Sequence, residues 1–284
     1  MPTSQEIDIS KLGIIAGGGS LPAYLASICE EKEITPYIVG FDKHTDPELM
    51  DKHQHLWTHL GAAGKIMDYF HAHGVKDLVM IGHVKRPSFI ELKPDLKAIK
   101  ILSQIGFKAI GDNSLLTALK SGLEKEGFTV RGIHDFCDQL LIREGTLGKH
   151  SPTTEDMESI QVGVKTSQAI GALDIGQSVI VQNGIIVGVE AVEGTDELIK
   201  RCKTLHKKGR GGILVKTCKP NQDKTLDLPT IGIDTIKNAH ESGLVGIAVH
   251  ADNTLVVDPK TIAEYADQYK LFVIGMSVNS DTQR

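Results

Sequence analysis

No run of apolar residues in this sequence approaches the roughly 18 that a membrane-spanning helix requires, so nothing in it reads as a bilayer span. Cysteine is scarce. Cys29, Cys137, Cys202 and Cys218 are scattered, without a CxxC pair or metal-ligand spacing, and read as buried, reduced thiols. The opening MPTSQEIDIS lacks the basic patch and apolar stretch of a signal peptide, so a cytoplasmic location is expected. Neither sign of charge dominates. The net charge is −5, with acids and bases mixed along the chain, which is not the electrostatic footprint of a nucleic-acid binder. The signatures of covalent nucleophiles, a GxSxG elbow or a Cys–His arrangement, are missing, as is the P-loop GxxxxGK[ST]. His53, His55 and His59 form no HExxH, and His71 and His73 stand two apart near a helix end, so histidine gives little support to a metal site.

What is present is a chain of 284 residues with 40% hydrophobic and 24% charged residues, an ordinary globular composition. That length suggests two domains of about 130–150 residues each. The first half alternates strand and helix signals. Strands are expected at Leu12–Ala16, Tyr37–Phe41, His55–Thr58, Leu78–Ile81 and Thr129–Ile133, with helices at Leu21–Glu33, Lys65–His73, Asp95–Ile105 and Asp112–Lys125. Such alternation implies a Rossmann-like, mostly parallel sheet covered on both faces. The boundary is placed near Phe136, giving residues 1–136 and 137–284.

The second half has a different rhythm. Helices are expected at Thr154–Ile170, Thr195–Leu205, Thr230–Ser242 and Pro259–Tyr269. Ser178–Gln182 and Ile185–Val189 flank Asn183-Gly184, a strong hairpin signal. Gly212–Thr217 and Leu271–Gly275 read as further strands, and Val245–Val249 with Thr254–Val257 as a strand pair. This predicts a mixed α/β domain whose sheet is not purely parallel.

Four stretches carry candidate chemistry. Gly17, Gly18, Gly19 and Ser20 end a strand and enter a helix, so their backbone N–H groups suit a phosphate, although a tight structural turn explains them as well. The dinucleotide fingerprint is half met, because Pro22 stands where the third glycine belongs; Asp42 after the second strand keeps a nicotinamide-dependent oxidoreductase open as a rival. Lys216 and Lys219 sit on a polar stretch leading to Asp227, which is either a metal- or water-binding acid or a turn residue before a helix capped by Thr230. Glu190 to Asp196 (EAVEGTD) joins a hairpin strand to a helix; Glu193 and Asp196, flanking Gly194, are candidate ligands, while Thr195 or Asp196 could simply cap the helix. Lys149 follows the boundary as a further phosphate candidate. A non-catalytic sugar-nucleotide or lipid carrier is the third function class, disfavoured by the acid beside two lysines.

Read in order, LGIIAGGGSLP from Leu12 to Pro22, Gly82-His83-Val84-Lys85-Arg86-Pro87, Leu147–Pro152, Leu173–Gln177, Val189–Asp196 and Asp227–Gly232 resemble one family across almost the whole chain. It is the UDP-2,3-diacylglucosamine pyrophosphatases of lipid A biosynthesis in Gram-negative bacteria, in the two-domain form distinct from the calcineurin-like phosphoesterases. The resemblance implies hydrolysis of UDP-2,3-diacylglucosamine to UMP and 2,3-diacylglucosamine 1-phosphate (lipid X), with Mg²⁺ required and water attacking the phosphorus on the sugar side. It implies a lipid held between two domains and contact with the inner-membrane surface. The family's essential aspartate maps onto Asp227, with Glu193 and Asp196 as further metal candidates. Lys149 and Lys216 are expected on phosphate, and Gly17, Gly18, Gly19, Ser20, Thr195 and Thr230 complete the substrate-binding set.

Overall fold

The apolar run KLGIIA forms the first strand, β1 (Lys11–Ala16), in which Leu12, Ile14 and Ala16 are fully buried. The computed structural model describes residues 9–84, 92–103, 112–205, 207–220 and 222–278; Lys85, Arg86, Pro87 and Ile105 of the expected elements and motifs lie outside them. Contacts divide the chain into two units, one of Met1–Asp138 with Asp223–Asp227, the other of Gln139–Gln222 and Leu228–Arg284.

In the first unit β1 is followed by α1 (Leu21–Glu31), β2 (Thr35–Phe41), α2 (Pro47–Lys52), β3 (Gln54–Thr58), α3 (Ala63–Ala72), β4 (Asp77–Ile81), α4 (Leu96–Ser103), α5 (Asp112–Lys125) and β5 (Thr129–Arg131). The strands pair in the order β3-β2-β1-β4-β5, all parallel. The order reverses beside β1, the switch point at which open α/β sheets bind ligands beyond their strand ends. Phe70 from α3, Leu78 from β4, Phe128 and Val130 form the core of one face. The last strand is shorter than expected, because Ile133–Asp135 is a 3₁₀ turn whose Asp135 carboxylate accepts the Gly132 N–H at 3.1 Å. Helix α2 was not anticipated. At 6 residues it shows no periodicity, but Asp46 caps the Glu48 N–H at 3.0 Å and Pro47 starts it.

The second unit holds β6 (Gly145–Leu147), α6 (Thr154–Ala172), β7 (Ser178–Gln182), β8 (Ile185–Val189), α7 (Thr195–Cys202), β9 (Ile213–Lys216), β10 (Thr230–Ile231), α8 (Ile233–Glu241), β11 (Gly246–His250), β12 (Leu255–Val256), α9 (Pro259–Tyr269) and β13 (Phe272–Met276). Its main sheet runs β6-β13-β11-β9-β7-β8, with β9, β11 and β13 parallel and β6, β7 and β8 forming antiparallel pairs. Successive strand side chains serve opposite faces. Val179, Val181, Ile213 and Val215 pack with Ile160 of α6, whereas Ile180 and Leu214 pack with Leu198, Ile236 and Ile262 of the three other helices.

Two expectations are corrected here. Thr230 does not cap a helix: it lies in β10, and the helix starts at Ile233 after Gly232, which makes no side-chain cap. Val245–Val249 and Thr254–Val257 do not pair with each other. β11 is enclosed between β13 and β9, while β12 pairs in parallel with β10. The first four residues of the strand, GIAV, are apolar and buried on both faces, and that favours a central parallel strand over a hairpin arm.

Candidate active site

Strand β9 ends at Lys216, a residue only 7% exposed. Taking an ammonium out of water costs several kcal/mol unless acceptors replace its hydration. Here Nζ donates to Thr195 Oγ1 at 3.1 Å and to the Thr230 carbonyl at 2.9 Å. The Thr195 hydroxyl donates in turn to Glu190 Oε1 at 2.8 Å and lies 3.2 Å from the Ser178 hydroxyl. Glu190, itself 6% exposed, accepts the Gln177 N–H on Oε2 at 3.0 Å. A buried cation and a buried carboxylate are therefore linked through one hydroxyl, whose proton points to Glu190 and whose lone pairs face Lys216.

The chain folds this way for local reasons. Ser178 opens β7 opposite Lys216, and β8 returns to place Glu190 beside Ser178. The hairpin turn is the expected one, with φ +50° at Asn183 and +71° at Gly184. Gly194 (φ +83°) turns the chain into α7, so that Thr195 is the first helical residue and not its cap. Beneath the cluster, Thr217 is fully buried, 2.6 Å from the Ser167 hydroxyl and 2.7 Å from Gln168 Nε2, which fixes the exit of β9. All of this sits at the carboxyl ends of the parallel strands, where α/β sheets bind ligands.

The structure thus gathers Lys216, Thr195 and Thr230, and adds Glu190, which opens the Glu190–Asp196 stretch but was given no role, together with Ser178 and Gln177, which sequence reasoning missed. It does not gather Lys149. β6 runs antiparallel to β13, so Lys149 lies past the amino end of β13, while Lys216 is at the carboxyl end of β9 on the far side of β11. Lys149 is 85% exposed and its N–H donates to Asp267 at 2.6 Å.

Glu193 is committed elsewhere. Its oxygens accept Arg201 Nε at 3.0 Å and the Ala191 N–H at 3.1 Å, and backbone N–H groups together with Arg201 hold the carboxyl below its ordinary range. Asp196 behaves differently: its Oδ1 is buried without a hydrogen-bond partner. Among the described residues no three His, Cys, Asp or Glu side chains converge as a metal cage. Mg²⁺ seldom needs one, because it is commonly held by one or two carboxylates, substrate phosphates and water. Asp196, with an orphaned carboxylate oxygen, and Asp227, an exposed acid, each fit the role of a single carboxylate ligand; Glu193 does not.

In the first unit, the glycine loop leaves β1 at the switch point. Gly17 N–H donates to Ile81 O at 2.7 Å, and Gly18 and His83 exchange backbone bonds at 2.8 and 3.0 Å. A Cβ on Gly17 would stand 2.7 Å from the carbonyl oxygens of Gly82 and His83, so glycine is required for this close approach. The tight-turn alternative therefore accounts for Gly17 and Gly18. Gly19 (φ +92°) and Ser20 stand at the start of α1, and Pro22, which broke the dinucleotide pattern, lies in its first turn.

Asp227 is exposed and ends the Asp223–Asp227 segment that belongs to the first unit. Asp223 O accepts the N–H groups of Leu226 (3.0 Å) and Asp227 (3.2 Å). Burial pushes the Asp223 carboxyl up, but hydrogen bonds from Lys120 and Thr225 more than offset it and hold it below the usual carboxylate range. All four cysteines are buried thiols outside any disulfide, and burial pushes those of Cys29 and Cys137 up to about 12.

Comparison with known proteins gives these features a context. The model of the LpxI N-terminal domain matches residues 11–140, and that of the LpxI C-terminal domain matches residues 143–274. The chain is 39% identical over 273 residues to the UDP-2,3-diacylglucosamine pyrophosphatase LpxI of Caulobacter vibrioides, across 94% of this chain and 97% of that protein. Neither the oxidoreductase nor the carrier alternative receives support from these matches. With both halves matched in order and the similarity running from end to end, the chain belongs to the LpxI family.

Proposed function

We propose that this protein hydrolyses the pyrophosphate bond of UDP-2,3-diacylglucosamine to UMP and 2,3-diacylglucosamine 1-phosphate (lipid X), a step of lipid A biosynthesis. The observation that carries the proposal is the identity of 39% across 94% of the chain with a relative of that named activity.

The chemistry demanded is modest in covalent terms. Water attacks a phosphorus, the P–O–P bridge breaks, and the nucleotide phosphate departs with the bridging electron pair. The difficulty is charge, since pyrophosphate oxygens repel an incoming nucleophile. Fixed donors aimed at those oxygens lower the barrier because they need no reorganisation. Lys216, positioned by the Thr195 hydroxyl and through it by Glu190, serves that role for a phosphate oxygen. Asp227 orients the water or holds the metal, with Asp196 as the second metal candidate. Mg²⁺, when bound through such a carboxylate, supplies Lewis-acid neutralisation of the phosphoryl oxygens.

No described helix is long and apolar enough to cross a membrane. The two acyl chains of the substrate are the reason to propose transient contact with a membrane surface. Mg²⁺-dependent release of UMP from UDP-2,3-diacylglucosamine by the purified chain tests the assignment. Full turnover in excess EDTA removes the metal from the proposal, and absence of UMP under any divalent cation removes the activity.

A further inference from the structure

The segment that carries Asp227 is gripped from a helix about a hundred residues away in sequence. Lys120, on α5, donates to Asp223 Oδ2 at 2.6 Å and to Thr225 Oγ1 at 2.7 Å, across sequence separations of 103 and 105 residues. Asp223 Oδ1 accepts both the N–H (3.0 Å) and the hydroxyl (2.6 Å) of Thr225. Its carbonyl accepts the Asp227 N–H at 3.2 Å. Leu226 packs against the core that contains Phe70 and Leu78. The segment is thus a closed turn with two anchors on the first unit, one ionic and one apolar, and Asp227 is its last residue.

The Lys120 and Asp223 side chains are 19% and 32% exposed, so the pair is partly buried, and its attraction is set against the cost of desolvating both charges. What the pair does determine is the position of one turn, since Lys120 spans both ends of the Asp223–Thr225 motif. We propose that Lys120 is a positioning residue for Asp227, acting through Asp223 and Thr225. The inference rests on the catalytic role assigned to Asp227 above.

The effect to look for is in turnover. Misplacing a catalytic group by about 1 Å can cost on the order of 100-fold in rate. Lys120→Met should therefore lower kcat by about 10- to 100-fold while KM for UDP-2,3-diacylglucosamine and the thermal midpoint stay close to those of the parent. Lys120→Arg, which keeps the charge, should recover much of the loss. Because both partners act as one clamp, Lys120→Met combined with Asp223→Asn should be no slower than the slower single variant. Lys120→Met at parental kcat, a rise in KM alone, or multiplicative losses in the double variant would each overturn the proposal. The two readings part on Asp227→Ala. If that variant is inactive and Lys120→Met is not, only the clamp fails; if Asp227→Ala turns over normally, both fail.

Discussion

Replacing Lys216 by methionine removes the buried charge but keeps an unbranched chain of similar reach. The structure sets two opposing effects on stability. Thr195 Oγ1 and the Thr230 carbonyl lose the donor that reaches them at 3.1 and 2.9 Å. Each deprived buried acceptor costs about 1–3 kcal/mol. Against this, an ammonium that is 7% exposed no longer has to be desolvated, a relief of several kcal/mol at most. The net change should lie within about 2 kcal/mol, or a shift of no more than about 8 °C in Tm for a chain of this size. Catalysis has no such compensation. Deleting one preorganised donor to a developing oxyanion costs about 10²–10³ in kcat, roughly 3–4 kcal/mol. Lys216→Arg should not restore activity, because the planar guanidinium needs a wider slot and more acceptors than this cluster offers. UMP release and a thermal melt, recorded on one sample, separate the two effects. A cooperatively folded Lys216→Met protein with kcat/KM within about threefold of the parent would refute a phosphate role for Lys216.

Asp227→Ala should fold with an unaltered Tm, since the side chain is exposed, yet lose about 10²–10⁴ in turnover; equal turnover per folded molecule would make Asp227 a turn residue only. Asp156 supports α6 through a capping box with Thr153 and accepts Arg210 at 2.7 and 2.6 Å. Burial raises its pKa, but the Arg210 and Thr153 hydrogen bonds outweigh that and leave it lowered. A depressed carboxyl contributes stability that is complete above the unfolded value of about 3.9 and disappears as pH falls through the folded one. Asp156→Ala should therefore cost about 2–3 kcal/mol at pH 7, with the Tm gap to the parent closing below about pH 4; a gap independent of pH would show that packing alone is lost.

Most elements of the first unit were legible because β1, β2 and β4 are short, largely apolar runs and the longer helices show their own period. Lys216, Thr195 and Asp196 were identifiable as candidates because they sit at strand ends and helix starts. Glu190 was not, for a specific reason. Counting back from Asn183-Gly184 through an ideal hairpin sets Val189 beside Ser178. The register instead shifts between Ile180 and Val181, so Val179 faces Val189 and Glu190 comes beside Ser178. A one-residue bulge reverses which side chains point inward, and nothing in the local residues announces it.

By itself, then, the sequence determined what local physics controls: where apolar runs make strands, where Asn-Gly reverses the chain, which segments are amphipathic, and which family the ordered blocks resemble. Tertiary structure decided whatever depends on register and long-range pairing. It set Lys149 and Lys216 at opposite ends of the parallel strands, turned Thr230 from a helix cap into a strand residue, and withdrew Glu193 to Arg201. It used the glycines of the first loop for close backbone approach to Gly82 and His83, and it tied the Asp227 segment to Lys120. These are contacts between residues far apart in the chain, and only the folded backbone fixes which of them meet.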